Sequence, residues 1–131
     1  MKERVLADTI AVLYALWEDE RLGPKALQCF ENSDIDVIVS SATLWEIAWK
    51  SSFGKLPPVI APGCANLVET IRAADLAILP ITAEDAERAA SLPQIHRDPM
   101  DRFIIATALR EGVPVLTTDR NFAAYGVGVI W

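Results

Sequence analysis

The stretch Asp98-Pro99-Met100-Asp101-Arg102-Phe103-Ile104-Ile105-Ala106-Thr107-Ala108-Leu109-Arg110-Glu111-Gly112-Val113-Pro114-Val115-Leu116-Thr117-Thr118-Asp119 decides the fold class. Asp98 before Pro99 is a helix start, with a side-chain oxygen to cap the first turn and a residue whose fixed φ suits that turn. Arg102 to Leu109 is apolar almost all round, which marks a central, well-buried helix. Gly112 ends it. Val113 to Thr117 then reads as a strand. Strands alternating with helices in this way predict a parallel sheet covered on both faces.

The rest of the chain fits the same alternation. Thr82-Ala83-Glu84-Asp85 is a capping pattern for a short helix, preceded by a strand at Ala77 to Leu79 and a helix from about Ala65 to Ala74. Leu56 to Gly63 holds three prolines and one glycine and reads as a loop. Asp36 to Val39 is a buried strand. Ser40-Ser41 caps the helix that follows, which runs to about Ser52 and stops at Gly54. Near the amino terminus, Val5-Leu6-Ala7 is a strand, and the helix-starting pair Asp8-Thr9 opens a helix to about Trp17. Arg21-Leu22-Gly23-Pro24 is a turn, from which Pro24 opens a helix to about Glu31. Val127 to Trp131 is the last strand. The expectation is one domain over residues 1–131, an α/β/α sandwich around a central parallel sheet of about five strands.

Composition narrows the function. Hydrophobic residues make up 52% of the chain, too many for disorder. The apolar run Ile10 to Trp17 is too short to span a bilayer and lacks a small-residue cleavage site, so neither a membrane span nor a signal peptide is expected. Cys29 and Cys64 lack metal-ligand spacing. Cys29 sits in an amphipathic helix, where a buried free thiol is the natural reading, consistent with a reducing cytoplasm. Twelve basic against eighteen acidic residues give a net charge of −6, which speaks against broad electrostatic adhesion to nucleic acid. Any action on nucleic acid must rest on a local site, a bound cation or a local basic patch.

Four acids converge on one rim of such a sheet. Asp8 follows the first strand, and Glu46 lies in the second turn of the helix after the second strand. Asp119 comes two residues after Thr117, and Asp101 is in the first turn of a helix returning antiparallel to the strands. Ligands of open α/β sheets bind outside the carboxyl ends of the strands. Each acid also fits a plainer role: Asp8 as a helix cap, Asp101 as a charge favoured by the helix dipole, Asp119 as the cap of a short turn. Glu46 is the only charged residue from Ser41 to Trp49. An ion pair with Lys50, worth about 0.3–0.5 kcal/mol, is a weak reason to place it there. Two carboxylates about 5 Å apart repel by roughly 3 kcal/mol at an effective dielectric of 20, and a divalent cation removes that cost. Oxygen-only ligands call for a hard ion, Mg²⁺ or Mn²⁺, and carboxyl oxygens of Asp8, Glu46 and Asp101 are expected within reach of one such ion. The chemistry implied is metal-assisted phosphodiester or phosphomonoester hydrolysis.

The assembled blocks resemble a known family. Leu6-Ala7-Asp8-Thr9, Ser40 to Lys50 with Leu44-Trp45-Glu46-Ile47 at its centre, His96-Arg97-Asp98-Pro99-Met100-Asp101-Arg102, and Leu116-Thr117-Thr118-Asp119 occur in the order and spacing of PIN-domain toxin ribonucleases. Gly54-Lys55-Leu56 and the ending Tyr125 to Trp131 are similar to the VapC branch. The resemblance covers nearly the whole chain. It implies a Mg²⁺-dependent endoribonuclease, a homodimer and inhibition by a VapB-type antitoxin. The family's acidic quartet falls on Asp8, Glu46, Asp101 and Asp119, the first and third as the usual metal ligands. Thr9 and Thr117 match small hydroxyl positions that steady the first and last acids. Ile10 departs from the pattern, since many relatives carry His there.

Several neighbours are expected in lesser roles. His96, the only histidine, reads as a loop residue more readily than as a general acid or RNA contact. Asp98 reads as a cap. Arg97, Arg102, Arg120, Lys50 and Lys55 are candidates to hold phosphates, although solvated surface is the plainer role for each. The tryptophans read as core or dimer interface. A partner surface, for a second copy or the antitoxin, is expected on Val12, Leu13, Leu16, Leu27 and Phe30. Two competing functions stand beside the ribonuclease: another metal-dependent phosphoryl-transfer hydrolase, and a catalytically silent module of PIN type that only binds RNA or protein. A haloacid-dehalogenase-like site would need a second Asp where Ile10 stands, and mutually repelling acids have no use in a silent module.

Overall fold

A computed structural model describes residues 2–57 and 65–131. In chain order the elements are β1 (Glu3–Ala7), α1 (Thr9–Trp17), α2 (Pro24–Glu31), β2 (Ile35–Ser40), α3 (Ser41–Ser52), α4 (Leu67–Ala73), β3 (Ala77–Leu79), α5 (Ala83–Ser91), α6 (Pro99–Glu111), β4 (Val115–Leu116) and β5 (Val129–Ile130). The five strands form one sheet in the order β3-β2-β1-β4-β5, and every pairing is parallel. The expected architecture is the one observed.

Strand alternation builds the two cores. On one face Val5, Ala7, Val37, Val39 and Leu116 pack with Ala11 and Val12 of α1, Cys29 of α2, Ile47 of α3 and Ile71 of α4. On the other, Leu6, Ile38 and Val115 pack with Ile104, Ile105 and Ala108 of α6 and with Phe122 and Tyr125. A one-residue slip of β1 would exchange these sets.

Local chemistry starts and stops the helices as expected. Asp98 accepts from Met100 N at 2.9 Å and caps α6, and Gly112 ends it at φ 65°. Ser40 accepts from Ala42 N at 3.1 Å and caps α3. Thr82 and Asp85 form a full capping box on α5. Asp85 is also tied to Arg110 at 2.8 and 3.0 Å. Burial alone would raise its carboxyl, but Arg110 and the bonds from Thr82 outweigh burial and hold it below the ordinary value. Cys29 is a buried free thiol, whereas Cys64 and most of the expected Leu56–Gly63 loop lie outside the described residues.

Three expectations are corrected and one, the placing of the tryptophans in core or dimer interface, is narrowed. The strand over Val113–Thr117 shrinks to Val115–Leu116, because Val113 N still bonds Ala108 O of α6 at 3.1 Å and Pro114 has no N–H to donate. Likewise Val127–Trp131 shrinks to Val129–Ile130, and the backbone oxygen of Trp131 instead accepts from Lys25 N and Ala26 N at the start of α2. Trp45 and Trp49 are not core: they stand 54% and 44% exposed on α3, ring on ring at 5.4 Å, with Phe53 edge-on to Trp49. The α1–α2 surface is largely consumed by the fold, since Val12 is fully buried and Leu13, Leu16 and Phe30 pack on the first core.

Register carries the acids to one edge. Ala7 pairs with both Val39 and Leu116, so Asp8, Ser40 and Thr117 stand at the same level at the carboxyl edge of the sheet. From β1 the chain builds outward to β2 and β3 on one side and to β4 and β5 on the other. The crevice between the carboxyl ends of β1 and β4 is therefore a topological switch point, where ligands of such sheets bind.

Candidate active site

A pocket of about 390 Å³ opens at that crevice, and Asp8, Glu46, Asp98, Asp101 and Asp119 line it with Thr9, Thr117 and Thr118. Ile10 and Leu13 supply its apolar wall, and Lys50 is the one cation lining it among the described residues. Four acids more than 35 residues apart or on different elements thus share one hollow, as their places in the sequence implied.

Asp8 is buried, and its Oδ1 accepts from Ala11 N at 2.8 Å, so it does cap α1. Burial is the main cause that lifts its carboxyl to about 6; bonds from Thr117 and Ala11 oppose it, and Glu46 and Asp119 add to it. Asp101 lies half-buried in the first turn of α6. Burial again leads, followed by repulsion from Asp98, Asp8, Glu46 and Asp119, and together they push its carboxyl to about 7. A protonated acid is the cheapest relief from crowding when no cation is bound. A divalent ion is the alternative relief, so buried oxygens under mutual repulsion fit a metal.

Glu46, buried on α3, accepts from Thr9 Oγ1 at 2.5 Å and pairs with Lys50 at 3.1 Å. The i,i+4 pair foreseen in the sequence forms, yet it sits in the pocket rather than on open surface. Thr9 therefore steadies Glu46, not the neighbouring Asp8. Thr117 does more than expected: its hydroxyl bonds Asp8, and its Oγ1 accepts from Asp119 N at 3.0 Å. Asp119 caps the 3-10 turn Arg120–Tyr125 through Oδ1, which accepts from Asn121 N at 2.9 Å. For Asp8 and Asp119, capping and site membership are compatible roles.

Among the described residues, the ligand atoms that come within 4.8 Å of one another as a group belong to His96, Asp101 and Asp119. Asp8, Glu46 and Asp101 share the pocket and its field but do not form such a close group among the described residues. His96, a loop residue by sequence, thus stands against two of the four acids. Thr43, whose hydroxyl lies 3.3 Å from that of Thr9, was not singled out at all; its place one turn before Glu46 on α3 was the available signal. Arg102 is no phosphate ligand. It is buried, and its guanidinium donates to the carbonyls of Ala89, Leu92, Pro93 and His96 at 2.7–3.0 Å, fastening the segment that carries His96 to α6.

Residues 5–128 match the PIN domain. The chain belongs to the PIN-domain family. This PIN domain is 30% identical over 125 residues to ribonuclease VapC22 of Mycobacterium tuberculosis, covering 92% of the chain and 91% of that protein. Its fold matches VapBC2 of Rickettsia felis, solved on a fragment of promoter DNA, with a TM-score of 0.70 at 15% identity and 97% of each chain covered. It also matches the sarcin–ricin-loop-cleaving toxin VapC20 of Mycobacterium tuberculosis, with a TM-score of 0.65 at 16% identity over 94% of this PIN domain and 95% of that chain. Among the described residues of this PIN domain no helix is long and apolar enough to cross a membrane.

Proposed function

We propose that the protein is a Mg²⁺-dependent endoribonuclease, Mn²⁺ being an alternative ion, and the toxin of a VapBC toxin–antitoxin pair in the cytoplasm. The observation that carries the reading is the set of crowded carboxylates, Asp8 and Asp101 foremost, at the carboxyl ends of β1 and β4. Its likeness over nearly the full length to a VapC ribonuclease supports the same reading. Asp8 and Asp101 would hold the ion, with Glu46 and Asp119 completing its surroundings directly or through water. When bound, the ion supplies positive charge to a phosphoryl oxygen and an activated water for in-line attack. Thr9 and Lys50 orient Glu46, and Thr117 orients Asp8 and Asp119. Lys50, at the pocket wall, can meet an incoming phosphate. The net charge of −6 repels RNA at long range, so affinity must arise at the loaded site and its few cations.

Two partners complete the proposal. A VapB-type antitoxin would silence the toxin, and a second copy would form a homodimer. The surface that supports the dimer is the exposed Trp45–Trp49–Phe53 ladder on α3, the kind of contiguous aromatic patch that interfaces use. The deciding experiment for the activity is cleavage of a structured RNA by purified protein with Mg²⁺ and with EDTA. Cutting that requires the metal and is lost in Asp8→Asn and Asp101→Asn supports the reading; metal-independent cutting, or none, overturns it.

A further inference from the structure

His96 is held unusually firmly for a residue outside any helix or strand. Its backbone N–H donates to Tyr125 Oη at 2.7 Å, and its carbonyl accepts from Arg102 at 2.9 Å. Its ring stacks on Tyr125 at 6.0 Å and meets Phe122 edge-on at 5.2 Å. Those contacts aim Nε2 at the acidic rim, where it lies 3.2 Å from Asp119 Oδ2. Yet Nε2, buried from solvent, makes no hydrogen bond among the described residues. The carboxylate is near, but off the line that a ring N–H would need.

A simple His–Asp ion pair does not account for that arrangement, because such a pair gains most by aligning the N–H with the oxygen. Two atoms that are close but misaligned suit lone pairs converging on a third point. For bonds of about 2.1 Å at right angles, neighbouring ligand atoms stand roughly 3 Å apart. Asp119 Oδ1 is occupied by its cap, which leaves Oδ2 to face the site, and one ligand atom each of His96, Asp101 and Asp119 lie within 4.8 Å of one another. Resting on the metal-dependent reading above, we infer that His96 is a nitrogen ligand, making the Asp101–Asp119 side of the pocket a mixed nitrogen–oxygen cation site. An imidazole there favours Mn²⁺ over Mg²⁺, since later first-row ions gain more from nitrogen ligands than the hard Mg²⁺ does.

His96 is the only histidine in the chain, so imidazole coordination in the untagged protein has a single source. Metal-free full-length protein is loaded with Mn²⁺ and examined by pulsed electron paramagnetic resonance, with calorimetric titrations of Mn²⁺ and Mg²⁺ alongside. The expected spectrum carries the ¹⁴N coupling of a directly bound imidazole. His96→Gln should abolish the coupling and weaken Mn²⁺ binding about tenfold or more, with a smaller change for Mg²⁺. Bound Mn²⁺ without nitrogen coupling overturns the assignment, and so does a protein that binds no Mn²⁺. The parent spectrum decides even if the variant folds poorly. Nitrogen coupling in a protein that cuts no RNA would keep the ligand and sink the nuclease reading, whereas cutting with Mn²⁺ and no coupling would do the reverse.

Discussion

Thr9 Oγ1 donates to Glu46 Oε1 at 2.5 Å across the pocket, joining the first turn of α1 to the middle of α3. A buried hydrogen bond to a charged acceptor contributes about 1.5–3 kcal/mol. Thr9→Val, nearly the same shape, should lower stability by about that amount and slow RNA cleavage by letting Glu46 turn toward Lys50. Thr9→Ser should keep most of both. Denaturant melts and cleavage rates for the two variants check this; equal behaviour of Val and Ser would show the bond to be idle.

The raised carboxyls of Asp8 and Asp101 have a definite pH consequence. In the folded, metal-free protein they hold protons up to about 6 and about 7, against an ordinary 3.8 in the unfolded chain. Between those values the native state binds more protons than the unfolded one, so their contribution to stability is full below pH 3.8 and is lost as pH rises through 6 to 7. Asp8→Asn and Asp101→Asn should remove part of that slope and be as stable as the parent, or more so, near pH 8 without metal. Asn still caps α1 in place of Asp8. Mg²⁺ should stabilise the parent increasingly as pH rises through 6 to 7, because it competes with the same protons, and should stabilise neither variant. Thermal melts across pH with and without Mg²⁺ test both halves; an unchanged metal response in Asp101→Asn would remove it from the site.

Asp98 provides the contrast. It caps α6 through Met100 N and adds negative charge beside Asp101. Asp98→Ala should cost about 1 kcal/mol for the lost cap, while Mg²⁺ still stabilises the protein. A complete loss of the Mg²⁺ response would promote Asp98 from cap to ligand.

Arg102 fastens the segment before α6 through the carbonyls of Ala89, Leu92, Pro93 and His96. Arg102→Lys keeps the charge but not the planar fork of donors. It should still lower stability by about 3 kcal/mol, since the buried carbonyls of Ala89 and Leu92 lose their partner, and it should free the His96 segment to exchange amide protons faster. Denaturant unfolding with hydrogen exchange over residues 92–98 measures both. Parent-like protection there would refute the clamp.

The Trp45–Trp49–Phe53 ladder predicts self-association. The Trp45→Ala/Trp49→Ala double variant should sediment as a monomer at micromolar concentration where the parent is a dimer. An unaltered dimer would move the interface elsewhere, and a monomeric parent whose ladder becomes protected on adding an antitoxin would assign the patch to that partner.

Much of this protein was settled locally. The caps Asp8, Ser40, Thr82 and Asp98, the stops Gly54 and Gly112, and the opening prolines Pro24 and Pro99 act through atoms a few residues away, so helix limits were legible in the chain. The acids too were legible, because a parallel register carries whatever follows each strand to a common edge. Tertiary structure alone decided which face of a helix meets the sheet. It turned Trp45 and Trp49 outward on α3, buried Val12 and Arg102, and set His96 against Asp119. Those outcomes depend on contacts between residues as far apart in sequence as Arg102 and Ala89, or His96 and Tyr125, and on balancing their burial. No periodicity or local propensity encodes that balance, because the same side chain is stable on either face until its distant neighbours are in place.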